Sequence, residues 1–189
     1  MVIFEKRLIK NMNIEKFFDL STGKWFAHRT KHELTTQKSI ESKSEIVIDR
    51  LDGAHAEVLS LCETHNIQPS QGLLALKLTW NDTTRLNQKN VGSMIMVAVP
   101  TLDLVNAGKI LFSNQSQIGE YKLGEDQALT LTLTAEQIVS EERLWFASDN
   151  LRMRVSTLKH ANRVMNTAFT SEIRMGVPPK TRSQVAEST

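Results

Sequence analysis

Two arginines at alternate positions near the end of the sequence are the residues best suited to bind an anion. Arg152 and Arg154 share one face of a predicted strand with Ser156, and the residues between them are apolar. A guanidinium keeps its positive charge in proteins and can hold a carboxylate through two parallel hydrogen bonds. If these arginines point into a cavity, they need carboxylates, either from the protein or from a dianionic ligand.

The arginines belong to a predicted hairpin that turns at residues 148–150. On its first arm Glu141, Arg143 and Trp145 share a face, so Glu141 is an internal partner for the arginines. The alternation does not say which face lies inside a barrel. From the residues alone, the pattern favours arginines that are solvated and paired across the hairpin, and arginines in a lumen are the alternative.

Four other residues carry side chains that could bind or react. His28 and His32 are four positions apart on a predicted strand, where surface histidines are a better explanation than a zinc site because no third ligand is near. Trp80 shares a face with alternate leucines, which favours the core, and lining a ligand cavity is the alternative. Cys62 lies on the apolar side of a predicted helix and is expected to be a buried packing residue rather than a nucleophile.

The elements that position these residues are mostly strands with a period of two. The alternation is clearest at residues 129–134, where leucine and threonine alternate. Ten segments are predicted as strands: residues 24–34, 44–51, 73–80, 93–99, 110–113, 118–123, 128–134, 138–147, 150–157 and 167–174.

Two helices accompany the strands. Residues 13–20 place apolar side chains at helical spacing, and Asp52 can cap a second helix near residues 54–64 that ends before Pro69. Strands and helices do not alternate regularly. The sequence therefore predicts an all-β protein, a closed up-and-down antiparallel barrel with an N-terminal helix and one inserted helix, and a β-sandwich is the alternative.

Length and composition indicate one soluble domain. The chain has 189 residues, of which 40% are apolar and 23% charged. Residues 1–12 are predicted to be an N-terminal extension with Met12 as an alternative start, residues 13–175 the domain, and residues 176–189 a disordered polar tail.

The charge pattern and the single cysteine exclude several function classes. The formal charge of +2 comes from the two ends of the chain, so the body lacks the basic face that nucleic acid requires. No apolar run approaches the roughly 18 residues that span a bilayer, so membrane insertion is not expected. One cysteine allows no intrachain disulfide, which fits a reducing compartment.

Several motifs occur in order between residues 13 and 174. They are GKWFAHRTKHEL from Gly23, Lys43-Ser-Glu, Trp80, Val99-Pro100, EERLWFASDNLRMRVS from Glu141 and FTSEIR from Phe169. Together they resemble the CpcS/CpeS, or S-type, phycobiliprotein lyases. The resemblance implies a lipocalin-like barrel of ten antiparallel strands, in agreement with the periodicity.

The resemblance also implies an enzyme. Such a lyase binds an open-chain tetrapyrrole (a bilin, such as phycoerythrobilin or phycocyanobilin) and attaches it by a thioether to a cysteine of a phycobiliprotein subunit of phycoerythrin or phycocyanin type. The bilin is the substrate, and no intrinsic cofactor is expected. The reacting thiol belongs to the acceptor, so Cys62 is not expected to be catalytic. The setting would be a cyanobacterial cytoplasm or a plastid stroma, and both a monomer and a homodimer fit.

The family motifs assign site residues. Those expected to contact the bilin are Arg29, His32, Trp80, Trp145, Arg152 and Arg154, and the arginines and His32 are expected to orient it for reaction. Arg29 and His32 are three positions apart, which places them on opposite faces of a strand unless a bulge intervenes. The chain lacks the second tryptophan that family members often have after Trp80, and has less glycine before it.

Two other functions fit the same resemblance and the same arginines. One is a bilin carrier of the same fold that does not accelerate bond formation. The other, more remote, is a barrel that holds a fatty acid or another carboxylate.

Overall fold

The computed structural model describes residues 12–68, 72–85, 90–101 and 104–176. The expected extension before Met12 and the expected tail after Gly176 lie outside these residues. The described chain contains two helices and ten strands. They are α1 (Ile14–Ser21), β1 (Gly23–Glu33), β2 (Lys38–Leu51), α2 (Ala56–Thr64), β3 (Leu74–Asp82), β4 (Asn90–Thr101), β5 (Leu104–Phe112), β6 (Gly119–Leu123), β7 (Leu129–Ala135), β8 (Ile138–Ser148), β9 (Leu151–His160) and β10 (Arg163–Arg174).

The ten strands form one closed antiparallel barrel in which each strand pairs with its neighbours in sequence and β1 pairs with β10. This confirms the predicted barrel with its two helices and excludes the sandwich. The strand starts that differ most from the prediction are those of β2, at residue 38, and β5, at residue 104, each six residues early. Polar residues interrupt the apolar alternation of β2 while its pairing with β1 continues, and in β5 the pairing with β4 shifts register between residues 104 and 108.

Helix α1 covers one end of the barrel, called here the closed end. Asn13 caps it by accepting a hydrogen bond from the Lys16 N–H. Phe17 and Phe18 are each 1% exposed and pack into the barrel core with Trp25. At this end α1 and its aromatic side chains fill the barrel.

Helix α2 packs against the outside of the barrel instead. Val58, Leu61 and Cys62 form a second apolar cluster with the outward-facing residues of β3, β4 and β5. Cys62 is fully buried in this cluster, as expected for a packing residue. None of the described helices combines the length and the apolar character that crossing a membrane requires.

Five hairpins meet at the opposite end of the barrel, called here the open end. They join β1 to β2, β3 to β4, β5 to β6, β7 to β8 and β9 to β10. Both described helices lie elsewhere, one at the closed end and one on the outer wall. In the described part of the chain, the interior can therefore be approached only from the open end.

Candidate functional site

Arg152 and Arg154 point into the barrel from β9. Arg152 is 2% exposed and the side chain of Arg154 is 21% exposed. In the strand register, Arg152 lies beside Phe146 of β8 and Glu172 of β10, and both of these side chains face the interior. The interpretation from residues alone, that the arginines are solvated, is wrong, because alternation groups residues by face without saying which face is inside.

Glu172 is the carboxylate that holds both arginines. It is fully buried, and it accepts hydrogen bonds from Nε of Arg152 and, at 2.8 Å, from Nη2 of Arg154. Glu142 lies 3.5 Å from Nη1 of Arg154 and nearer to the open end. The expected partner Glu141 lies on the other face of β8, so this assignment is wrong by one residue.

Burial and the neighbouring charges shift the pKa values of Glu172, Arg152 and Arg154. Burial raises the pKa of Glu172, but the guanidiniums of Arg154 and Arg152 outweigh burial and hold this pKa below its ordinary value. Burial lowers the pKa of Arg152 despite the nearby carboxylate. For Arg154, burial is outweighed by Glu172 and Glu142, which raise its pKa. Glu172 is consequently an anion at neutral pH.

The cluster has hydrogen-bond donors to spare. Nη2 of Arg152 and Nε of Arg154 are buried and have no hydrogen-bond partner among the described residues. Both side chains line an interior cavity of about 40 Å³. A buried donor without an acceptor costs about 1–3 kcal/mol, so these nitrogens are suited to an acceptor that arrives with a ligand.

Arg29 and Trp80 lie nearer to the open end. Arg29 follows Trp25 and Ala27 on the inward face of β1, opposite Thr170, but is itself exposed. It makes no hydrogen bond or ion pair with any described residue. Its guanidinium is therefore free to bind an anion.

Trp80 lies on the inward face of β3 above a glycine. It pairs in register with Gly92 of β4, and a Cβ atom at that glycine would overlap the indole ring. The close approach of the ring to the β4 backbone therefore requires glycine. Trp80 is half-buried, which leaves part of its ring free for a ligand to stack on.

His32 and Trp145 lie on the outer surface. Strand β1 keeps a regular register from residue 23 to residue 33, so no bulge turns His32 towards Arg29. Nδ1 of His32 lies 2.8 Å from the Ser39 hydroxyl. Trp145 pairs with the outward-facing Met153. The structure thus brings Arg29, Trp80, Arg152 and Arg154 to the interior side and separates His32 and Trp145 from them.

A sequence profile of a known family matches nearly all of the described chain. The profile, described as "CpeS-like protein", matches residues 13–175. The chain belongs to the CpeS-like family. A chromophore lyase CpcS/CpeS from Thermosynechococcus vestitus is 36% identical over 172 residues, which cover 88% of this chain and 94% of that protein. A phycocyanobilin lyase subunit CpcS from Picosynechococcus is 29% identical and covers 92% of both chains.

A solved CpeS-like structure has the same architecture. The S-type phycobiliprotein lyase CPES from Guillardia theta superposes with a TM-score of 0.78 at 28% identity, over 89% of this chain and 96% of that one. The resemblance drawn from the motifs is confirmed.

Sequence reasoning missed the carboxylates of this CpeS-like site. Glu172 belongs to one of the quoted motifs, FTSEIR, but no role was assigned to it. Its signal was available, because Thr170, Glu172 and Arg174 alternate on β10, a strand of 12 residues. What the sequence could not supply was the register between β10 and β9, which places Glu172 beside Arg152.

Proposed function

We propose that this protein is a phycobiliprotein lyase that holds a bilin at the open end of its barrel for reaction with a cysteine of a phycobiliprotein subunit. The carrying observation is the charged cluster of buried Arg152 and Glu172 with partly exposed Arg154 and Glu142. This cluster retains two unpartnered donors below an exposed arginine and a tryptophan. The arrangement of these side chains and the membership of the chain in the CpeS-like family support the same conclusion.

The size of the interior cavity determines where the bilin lies. A pocket that encloses a drug-sized ligand has about 300–1,000 Å³, whereas the interior cavity has about 40 Å³. A tetrapyrrole therefore extends across the open end, and only part of it reaches down towards the arginines. This position leaves the reactive ring accessible from outside.

The polar groups of the site match those of a bilin. Its two propionates are bound by Arg29 and by the free nitrogens of Arg152 and Arg154. Its pyrrole N–H groups donate to Glu142, which is partly exposed. Its conjugated surface stacks on Trp80. His32 and Trp145, on the outer surface, are left out of this site.

The reaction itself needs little from the protein besides position. The acceptor thiolate adds to the ethylidene carbon of the A ring, a carbon–sulfur bond forms, the double bond is lost, and a proton is taken up by the neighbouring ring carbon. No group leaves. Fixing the bilin in one conformation converts an unguided encounter into an oriented one, which is the main contribution to the rate. Cys62, on the outer wall under α2, takes no part.

The cellular compartment follows from the location of the partner protein. Phycobiliprotein subunits of phycocyanin or phycoerythrin type are the acceptors, so the protein acts where these are assembled, in a cyanobacterial cytoplasm or a plastid stroma. Phycocyanobilin and phycoerythrobilin are the substrates to test first.

The arginine pair provides the experiment. Bilin is titrated into Arg152→Ala, Arg154→Ala and the double variant, and circular dichroism verifies folding. Loss of a charge-assisted hydrogen bond worth about 1.5–3 kcal/mol weakens binding by roughly tenfold or more. Lysine rescues only partly because it lacks the planar fork. Arg143→Ala is the matched control, since Arg143 faces outwards and pairs with Asp126.

Two results would contradict the proposal. Wild-type bilin affinity in the folded double variant would remove these arginines from the site. A purified acceptor subunit that gains the thioether equally fast with and without the protein would make it a carrier instead of a lyase.

A further inference from the structure

The tips of three neighbouring hairpins join into one surface at the open end. These tips, at residues 34–37, 136–137 and 161–162, are called here the three-hairpin rim. The Leu34 N–H donates to the Met165 carbonyl and the Ala161 N–H donates to the Gln137 carbonyl, both at 2.9 Å. Backbone hydrogen bonds thus link the three hairpins, and the rim is one continuous piece above β1, β8, β9 and β10.

Exposed aliphatic side chains concentrate around the open end. Ten large hydrophobic residues are exposed in the described part of the chain, and six of them belong to the hairpins or strand ends there. These six are Leu34, Ile40, Val91, Ile118, Ile138 and Val164. On a barrel with a well-filled core, such a concentration is typical of a surface that binds another protein.

Four of the six belong to the rim or lie next to it. Leu34 is 50% exposed, Ile40 47%, Ile138 45% and Val164 39%. Ile40 and Ile138 occupy inward-facing positions of β2 and β8, yet they lie too near the strand ends to be covered by the core. Apolar contact area therefore lies directly beside the proposed bilin site.

The charge of the three-hairpin rim suits a thiolate nucleophile. Within two positions of its tips, three fixed cations and two carboxylates give a net charge of +1. The cations are Lys38, Lys159 and Arg163, and the carboxylates are Glu33 and Glu136. A thiolate, the form of cysteine that attacks, is stabilised by nearby positive charge.

Within the described part of the chain, the open end is the one route by which the acceptor thiol can reach the bilin. The closed end is filled by α1, and the outer wall separates α2 from the interior. With an interior cavity of only about 40 Å³, the reacting ring lies outside the core at the open end. The subunit that carries the cysteine must therefore contact the open end during transfer.

We propose that the three-hairpin rim, with Leu34, Ile40, Ile138 and Val164, is the docking surface for the acceptor phycobiliprotein subunit. This inference rests on the proposed function and adds the surface through which the partner is recognised. Docking on the rim brings the cysteine over the site while the aliphatic residues hold the subunit. The lyase then recognises its acceptor by a part of the molecule that does not hold the bilin.

The test separates docking from bilin binding. Leu34 and Val164 are both replaced by glutamate, because they lie at the hairpins and not among the proposed bilin contacts. The matched control replaces Phe169 and Ile173 of β10 by glutamate. These two residues are 45% and 54% exposed on the outer face of the barrel. Both double variants make the same change in charge, and Ile138→Gln is a milder rim variant in case the glutamates disturb folding.

The readouts are bilin affinity by absorbance titration and initial transfer rates to purified phycocyanin and phycoerythrin subunits over a range of subunit concentrations. The rim variant is expected to keep bilin affinity within about twofold, whereas its KM for the subunit rises about tenfold or more. The control is expected to match the wild type in both.

Other outcomes overturn the inference. Transfer by the rim variants at wild-type KM rejects the rim, and a raised KM only in the control places docking on the outer face of β10. If the rim variant instead dissociates a wild-type dimer in gel filtration and leaves KM unchanged, the rim binds a second copy. A wild-type protein that binds bilin but transfers it to no subunit contradicts the proposed function itself.

Discussion

The two ends of the barrel use the same kinds of side chain for different purposes. At the closed end Trp25 is fully buried and the guanidinium carbon of Arg174 lies 4.2 Å from its ring centre. Towards the open end Trp80 is half-buried, and Arg29 has no partner among the described residues. At the closed end the aromatic ring and the arginine thus contact each other, whereas towards the open end the ring and the arginine are both available to a ligand.

The hydrogen bonds of Arg174 also differ from those of Arg152 and Arg154. Arg174 donates to the carbonyl oxygens of Leu20 and Thr22, each at 2.6 Å, and to that of Asp149 at 3.2 Å. Arg152 and Arg154 instead share a carboxylate and each keep one nitrogen unpartnered. Arg174 therefore stabilises the fold at the closed end, whereas Arg152 and Arg154 keep nitrogens for a ligand, although the guanidinium carbon of Arg152 also lies 5.1 Å from the centre of the Trp25 ring.

The sharpest way to break this comparison is to remove each tryptophan. Trp25→Ala is expected to destabilise the protein by about 3–5 kcal/mol, because it leaves a large cavity in the filled end. Trp80→Ala should cost less than about 2 kcal/mol, because its ring is partly exposed, but should weaken bilin binding several-fold. Urea unfolding and bilin titration measure the two effects. Equal losses of stability would contradict the division between the ends.

The carboxylates allow a second comparison. Glu172→Gln should cost about 2–4 kcal/mol, because it leaves the buried guanidinium of Arg152 without an anion and leaves Arg154 only its longer contact with Glu142. Glu142→Gln should cost less than about 1 kcal/mol, because its side chain is 34% exposed and its contact with Arg154 is long. Both are measured by urea unfolding at neutral pH. A larger loss in the Glu142 variant would show that the ion cluster is anchored nearer to the open end.

The lowered pKa of Glu172 predicts a pH dependence. Its folded-state pKa lies below the ordinary 4.5, so the unfolded state takes up the proton first as the pH falls. The stabilisation is complete above about pH 5 and is lost as the pH falls through 4.5 towards the folded-state pKa. Unfolding free energies measured between about pH 6 and pH 3 should fall less steeply in Glu172→Gln than in the wild type. Parallel curves would show that another group governs acid unfolding.

The smallest effect concerns a residue outside the lumen. Cys62→Ser should cost about 1–2 kcal/mol, because a hydroxyl replaces a buried thiol among apolar side chains. Burial raises the pKa of this thiol, so it is not a nucleophile at neutral pH. The transfer rate per folded molecule should equal that of the wild type. Loss of transfer in a folded Cys62→Ser protein would indicate a covalent intermediate with the bilin.

Most of the fold could be predicted because it depends on local patterns. Leucine and threonine alternate along β7, and residues 13–20 have helical spacing, so strands and helices could be assigned one by one. Strand ends were less predictable. Where β5 contains Asn106 and Gly108, its pairing with β4 shifts register and the residues follow no apolar pattern, so the sequence gives no signal for the start of the strand.

The site was less predictable because it depends on strand register and on which face of each strand lies inside. Alternation showed that Arg152 and Arg154 share a face, but only the burial of Arg152 beside Phe146 and Glu172 shows that this face is inside. The same alternation placed Trp145 with Glu141, and both prove to face outwards. The family motifs group His32 with the arginines, whereas the structure places Arg152 and Arg154 in the lumen and His32 on the outer surface, since a motif records order along the chain and not the direction of side chains.

The pairing of β1 with β10 also constrains when the protein can finish folding. Strand β1 is synthesised before its partner β10. The carbonyl oxygens of Leu20 and Thr22 accept their hydrogen bonds from Arg174 only after that residue has been synthesised. Until β10 has been synthesised, β1 therefore has an unpaired edge, the kind of edge on which strands of other chains add. A nascent chain that stops before residue 163 cannot close the barrel, and it has two open edges, one on β1 and one on β9.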